Sequence, residues 1–123
     1  GKKVIDFGTG TGVLAILAEK MGAIEVLAID NDDWSINNAA ENITKNNCSC
    51  IFLLKAETLP AGDKAPVILA NINLNIIISS LVAIRNACTQ DADLLFSGIL
   101  AQDEPVLKQA LIIRAKIAAP HIN

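Results

Sequence analysis

The chain has 123 residues, 52% of them hydrophobic and 19% charged, and its net charge is −3. That length suits one domain with a buried core, and the composition excludes disorder, whose signature is low hydrophobicity with high charge. The acidic balance gives no support to a basic nucleic-acid-binding surface.

The opening KKVIDF, residues 2–7, is a β-rich run stopped by the glycines of GTGTG. VLAILAEKMG then places Val13, Leu14, Leu17 and Met21 at helical spacing, with Gly22 as a C-cap signal. EVLAID is a second strand ending at Asp30. Asp32 or Asp33 caps a helix running to about Asn46, with Ile36, Ala39, Ala40 and Ile43 on its inner face. CSCIFLL is a third strand, KAETLPAGDK a turn-rich loop and PVILA a fourth strand. After the loop Asn71-Ile72-Asn73, residues 74–87 read as one helix with Ile77, Leu81 and Ile84 on one face. DADLLFSGIL is a fifth strand, and Asp103-Glu104-Pro105 opens another helix, since carboxylates suit a first turn and Pro its first position. The end, IIRAKIAAPHIN, reads either as the close of that helix or as a sixth strand.

Strands and helices alternate, and most strands are continuous apolar runs rather than strict alternations. Such strands are covered on both faces. The expected fold is therefore α/β: a doubly wound, mostly parallel sheet with helices on both faces. Residues 65–84 carry no charge, but the amides of Asn71, Asn73 and Asn75 break the segment into strand, turn and helix rather than a membrane span. Cys48, Cys50 and Cys88 are odd in number, lack C-x-x-C spacing and have a single His121 for company. They read as small packing thiols of a reducing cytosol, with no metal site.

In a doubly wound sheet, ligands bind at the carboxyl ends of the strands, at the switch point. The first such loop holds Asp6, Gly8, Thr9, Gly10, Thr11 and Gly12 ahead of a helix N-terminus. Glycines at alternate positions permit a sharp turn and close approach of a ligand. Two cofactor classes compete there. Gly10-Thr11-Gly12-Val13-Leu14-Ala15 matches the dinucleotide pattern G-x-G-x-x-G/A. Gly8, Gly10 and Gly12 after Asp6 match the pattern of S-adenosylmethionine-dependent methyltransferases, and a carboxylate beside the loop tolerates a cationic sulfonium better than a pyrophosphate. Asp30, at the end of strand two, suits the ribose hydroxyls of either cofactor. Asn71 follows strand four, next to strand one, where an amide oxygen can accept N–H bonds from an amine and aim its lone pair. Glu57 stands within reach of a nucleobase edge, and Trp34 reads as a packing residue rather than a stacking platform.

DFGTGTGVLAILAEKMGA, LAIDNDDWSINNAAEN, VILANIN and LLFSGIL, in this order, resemble class I methyltransferases, and most closely the bacterial ribosomal protein L11 methyltransferase family. LANIN and FSGIL carry the specificity of that resemblance, which covers roughly residues 2–110. It implies a Rossmann-like fold, from which this chain departs in lacking the usual last strands, S-adenosylmethionine as cofactor, and methylation of lysine side chains or the N-terminal amine of a large-subunit ribosomal protein. It further implies that Asp6, Gly8, Gly10, Gly12, Asp30 and Asn71 serve the cofactor, and Thr9, Asn31 and Glu57 complete the expected cofactor-binding set. Asn71 and Ile72 would serve the transfer, with Asn73 beside them. Asn31 departs from the family's usual apolar residue against adenine. Family members also carry a separate substrate-recognition domain, so residues 1–123 are expected to be one catalytic core from a longer chain, working in the cytoplasm without direct nucleic-acid or membrane contact. The alternatives are a methyltransferase for another protein or a small molecule, an NAD-dependent oxidoreductase, and a cofactor-binding domain without catalysis.

Overall fold

A computed structural model describes residues 1–97, 100–108 and 121–122. In chain order it contains β1 (Lys3–Phe7), α1 (Val13–Lys20), β2 (Glu25–Asp30), α2 (Asp33–Lys45), β3 (Ile51–Lys55), β4 (Ala65–Asn71), α3 (Leu74–Ser79), α4 (Leu81–Ala87), β5 (Cys88–Ser97) and β6 (His121–Ile122). A short 3-10 turn, Ala101–Asp103, leads into helical residues 104–108. The strands form one sheet in the order β3-β2-β1-β4-β5-β6, and every adjacent pair is parallel. The order reverses between β1 and β4, so the carboxyl ends of these two strands flank the switch point.

The expected doubly wound sheet is therefore present, and its two faces are covered differently. Ile5, Phe7, Ile29, Ile68 and Leu94 lie on one face, under Ile84 and Ala87 of α4. Val4, Val26 and Ala28 lie on the other, under Ala15 and Ala18 of α1. The α1 helix thus meets the sheet through its small residues. Its larger apolar side chains stand outside, with Val13 64%, Leu17 51% and Met21 79% exposed. Leu14, Leu17 and Met21 border a groove of about 540 Å³ over Val67 and Leu69 of β4 and Leu95 of β5, where no element among the described residues covers the sheet.

Four expectations need correction. The helix over residues 74–87 is two helices, broken at Ser80, whose φ is −103° and ψ 4°. Ser80 N donates to both Ile76 O and Ile77 O, and the Ser79 hydroxyl bonds back to Ile76 O at 3.0 Å. Such back-bonding competes with the helical ladder and bends helices. The third strand starts at Ile51, because Glu19 of α1 accepts the N–H groups of Ser49 and Cys50. The fifth strand starts earlier, at Cys88, and absorbs a bulge: Ala65 pairs with Cys88 but Val67 with Asp93, and Asp91 takes φ 60°. Trp34 does not pack; it is 66% exposed in the first turn of α2. Of the tail, His121 and Ile122 pair with β5 as a strand. Gly98 and Ile99 of the FSGIL segment, and the rest of the tail after Lys108, lie outside the described residues.

Candidate functional site

The loop between β1 and α1 is held by its own amides. Gly8 N and Thr9 N both donate to Ile29 O at 2.8 Å, Gly10 N donates to Asp30 Oδ2 at 2.9 Å, and Gly12 N donates to Thr9 O at 2.9 Å. All three glycines have positive φ, from 57° to 86°, a region that side chains rarely adopt. They face different surroundings. A Cβ at Gly12 would lie 3.3 Å from Ala39 Cβ, so Gly12 lets α2 pack closely on the loop. A Cβ at Gly8 would collide with Ile72 Cγ2. Nothing stands within 4 Å of where a Gly10 Cβ would be.

Asp6 lies behind this loop and is fully buried. Its Oδ2 accepts the Thr9 hydroxyl at 2.8 Å, which turns the Thr9 side chain inward, and the Ala15 N–H of the first turn of α1 is directed at the same carboxylate. Its Oδ1 has no hydrogen-bond partner. Burial pushes the Asp6 pKa up to about 6, against the lowering effect of Thr9 and Ala15; the nearby Asp30 adds to the rise. The helix N-terminus that could receive a phosphate thus already faces a carboxylate of the protein itself. With the amides of Gly8, Thr9, Gly10 and Gly12 engaged and two carboxylates beside them, the loop is poorly suited to a pyrophosphate and well suited to a neutral or cationic ligand.

Asp30 ends β2 and uses each carboxylate oxygen once: Oδ2 for Gly10 N, and Oδ1 for Asp32 N at 3.0 Å. Each oxygen keeps a lone pair for a further donor, as a ribose diol requires. Asp30, Asn31, Glu57, Gly8 and Ile72 together line a cavity of about 60 Å³ at the carboxyl edge. Phe7, Ala56 and Ile76 line it too and were not singled out by the sequence. Phe7 ends β1 between Asp6 and Gly8, and Ala56 lies between the end of β3 and Glu57. Ile76 lies one turn into the helix that Asn73 caps through Oδ1 to Ile76 N at 3.0 Å. Pockets that enclose small molecules measure roughly 300–1,000 Å³, so these residues form the floor of an open site rather than an enclosure. The 540 Å³ groove shares none of them.

Asn71 is the exposed last residue of β4, paired with Ser97 of β5. Its carbonyl lies 3.1 Å from where a Gly8 Cβ would stand, so the asparagine loop and the glycine loop touch. Across the switch point, Asp30 and Asn71 flank the end of β1 from either side. Among the described residues no group of three His, Cys, Asp or Glu side chains is arranged to hold a metal ion.

The family model for ribosomal protein L11 methyltransferase matches residues 1–118. The chain is 47% identical over 118 residues to the ribosomal protein L11 methyltransferase of Chlorobaculum tepidum, and 40% identical over 111 residues to that of Porphyromonas gingivalis. Both matches take in 89% of this chain, but it spans only 40% and 38% of the length of those two proteins. The crystal structure of a ribosomal protein L11 methylase from Lactobacillus delbrueckii subsp. bulgaricus superimposes with a TM-score of 0.87 at 37% identity, over 92% of this chain and 59% of that one.

Proposed function

We propose that this chain, which belongs to the ribosomal protein L11 methyltransferase family, is the S-adenosylmethionine-binding catalytic core of a longer protein N-methyltransferase whose substrate is a large-subunit ribosomal protein. The observation that carries the reading is the make-up of the glycine loop. The amides of Gly8, Thr9, Gly10 and Gly12 are engaged within the protein, the helix N-terminus behind them faces Asp6, and Gly8 lines the cavity beside Asp30. That arrangement favours an adenosyl sulfonium over a dinucleotide.

When bound, the cofactor supplies an electrophilic methyl group for in-line displacement by an amine. The residues of the chain supply binding and orientation. Asp30 accepts the ribose hydroxyls on its free lone pairs while it holds Gly10 in place. Asn31 and Glu57 offer hydrogen bonds to the base edge, and Ile72 offers an apolar surface. Asp6 and Thr9 stiffen the loop from behind, and Gly8, Gly10 and Gly12 would hold the methionine end of the cofactor. The Asn71 amide oxygen would accept an N–H of the incoming amine and so orient its lone pair for attack. A lysine amine, of ordinary pKa about 10.4, must arrive neutral. No His or Lys stands among the proposed site residues to act as base, so its proton goes to water. A cytoplasmic site of action follows from a ribosomal substrate and agrees with the absence, among the described residues, of any helix long and apolar enough to cross a membrane.

The test is to titrate S-adenosylhomocysteine and NADH separately and follow thermal stability. Binding stabilises the folded state by mass action, by about 2.7 kcal/mol at a hundredfold excess over Kd. S-adenosylhomocysteine is expected to raise Tm and NADH to leave it unchanged; the reverse result would replace this reading with an oxidoreductase.

A further inference from the structure

We infer that Asp6 tells the sulfonium cofactor from its thioether product: its carboxyl gives up a proton when the sulfonium charge arrives and takes one back when that charge is gone. The inference rests on the methyl-transfer reading above, and the surroundings of the carboxyl carry it. Asp6 is fully buried in β1, in register with Ala28 on one side and Leu69 on the other. Both neighbours are apolar. From the loop and from α1 it meets the Thr9 hydroxyl and the Ala15 N–H, which are neutral dipoles. The charged residues of α1, Glu19 and Lys20, lie at the other end of that helix. From β2 the charge facing Asp6 is Asp30, of the same sign. Asp32 and Asp33 at the start of α2 are exposed and also acidic, and Lys55 of β3 is paired with Asp33 at 2.7 Å. Among the described residues, then, no cation is paired with Asp6, and its Oδ1 has no hydrogen-bond partner at all.

A buried carboxyl without a counter-ion is held in its neutral form. Burial accordingly pushes Asp6 up to about 6, near enough to neutrality for one added charge to move it. The positive charge missing from this environment is the one a sulfonium brings. Methyl transfer removes it: the S–CH3 bond breaks, its electron pair stays on sulfur, and the positive charge leaves with the amine. Ionised Asp6 attracts the sulfonium and gains no such attraction to the thioether. Protonated Asp6 does not distinguish them. Binding and protonation are linked reciprocally, so the sulfonium expels the proton and rising pH favours the sulfonium. Above pH 6 the site prefers cofactor to product, and proton uptake by Asp6 assists product release.

The test is calorimetry of S-adenosylmethionine and S-adenosylhomocysteine on the complete protein between pH 5 and pH 7. The α-amino group of each ligand stays largely protonated there, since such groups titrate near pH ~8. The Kd of S-adenosylhomocysteine divided by that of S-adenosylmethionine should rise about threefold or more from pH 5 to pH 7, up to a limit of about tenfold per pH unit. At pH 6, in buffers of different ionisation enthalpy, S-adenosylmethionine should release up to about half a proton per site and S-adenosylhomocysteine less. Asp6→Asn keeps an acceptor for the Thr9 hydroxyl and cannot ionise, so the ratio should lose its pH dependence and the extra proton release should vanish. Thr9→Val removes a hydrogen bond that favours the ionised form, so the midpoint of the dependence should move to higher pH. That second variant keeps the test decisive where Asp6→Asn does not fold.

A ratio that is the same at pH 5 and pH 7, or a dependence that survives in Asp6→Asn, or a midpoint that stays or falls in Thr9→Val, would overturn the inference while leaving the methyl-transfer reading in place. If neither ligand binds at any pH, that reading fails and takes the inference with it.

Discussion

At the scale of single residues, Asp6 couples the site to pH. Its folded pKa of about 6 stands above the ordinary 3.8 because burial disfavours the charged form. Between about pH 4 and pH 6 the folded chain holds a proton that the unfolded chain has released, so stability falls as pH rises through that window. A shift of two units corresponds to roughly 3 kcal/mol across it. Asp6→Asn, which stays neutral, should flatten the decline between pH 4 and pH 6, as urea unfolding at several pH values would reveal. Asp30 and Asn71 divide the proposed work between affinity and rate. Asp30→Ala should weaken S-adenosylhomocysteine binding roughly 10- to 100-fold, the range for loss of hydrogen bonds to a charged group. Asn71→Ala should leave that Kd nearly unchanged and lower kcat by about a hundredfold. Comparable losses of Kd and kcat in the Asn71 variant would remove its assigned role.

At the scale of elements, capping decides where the helices that frame the site begin. The Asp32 carboxylate accepts Ser35 N at 2.9 Å and the Ser35 hydroxyl at 3.0 Å, which starts α2 two residues after Asp30. The same turn presents Asp32 N to Asp30 Oδ1, so the cap also orients the carboxylate proposed to bind the ribose. Asp32→Ala should cost about 1 kcal/mol in chemical denaturation, as loss of an N-cap does. It should also weaken S-adenosylhomocysteine binding, although Asp32 makes no contact with the proposed cofactor. Asn73 plays the matching part for α3 beside Asn71. The α2 cap was legible in the sequence as Asp32 or Asp33, because a short carboxylate ahead of a helical pattern suits an N-cap. The break at Ser80 was not. It lies within LNIIISSLVAI, where no Gly or Pro interrupts the helical spacing and the serine hydroxyl competes with the ladder only once the helix is built.

At the scale of the whole molecule, stability resides in the sheet and the face under α4. Ile68 is fully buried between β1 and β5, and Ile68→Ala should cost about 2–5 kcal/mol. Leu17, half exposed on α1, should cost within about 0.5 kcal/mol when replaced by Ala, because it borders the open groove rather than the core. Thermal or urea melts of the two variants test that asymmetry. By itself the sequence determined the alternation of strands and helices, the parallel sheet, the glycine loop, the strand-end Asp30 and Asn71, and the family. These are signals of local backbone chemistry and of apolar runs, which need no knowledge of neighbours in space. The tertiary structure alone decided which face of α1 meets the sheet, since small alanines fit the close helix–sheet contact and larger side chains do not. It also decided that Trp34 stands in solvent, that Gly8 faces Ile72 while Gly10 faces open space, and that the helix N-terminus is turned on Asp6. Each of these depends on which residues distant in the chain come within a few ångströms, and local spacing carries no record of that.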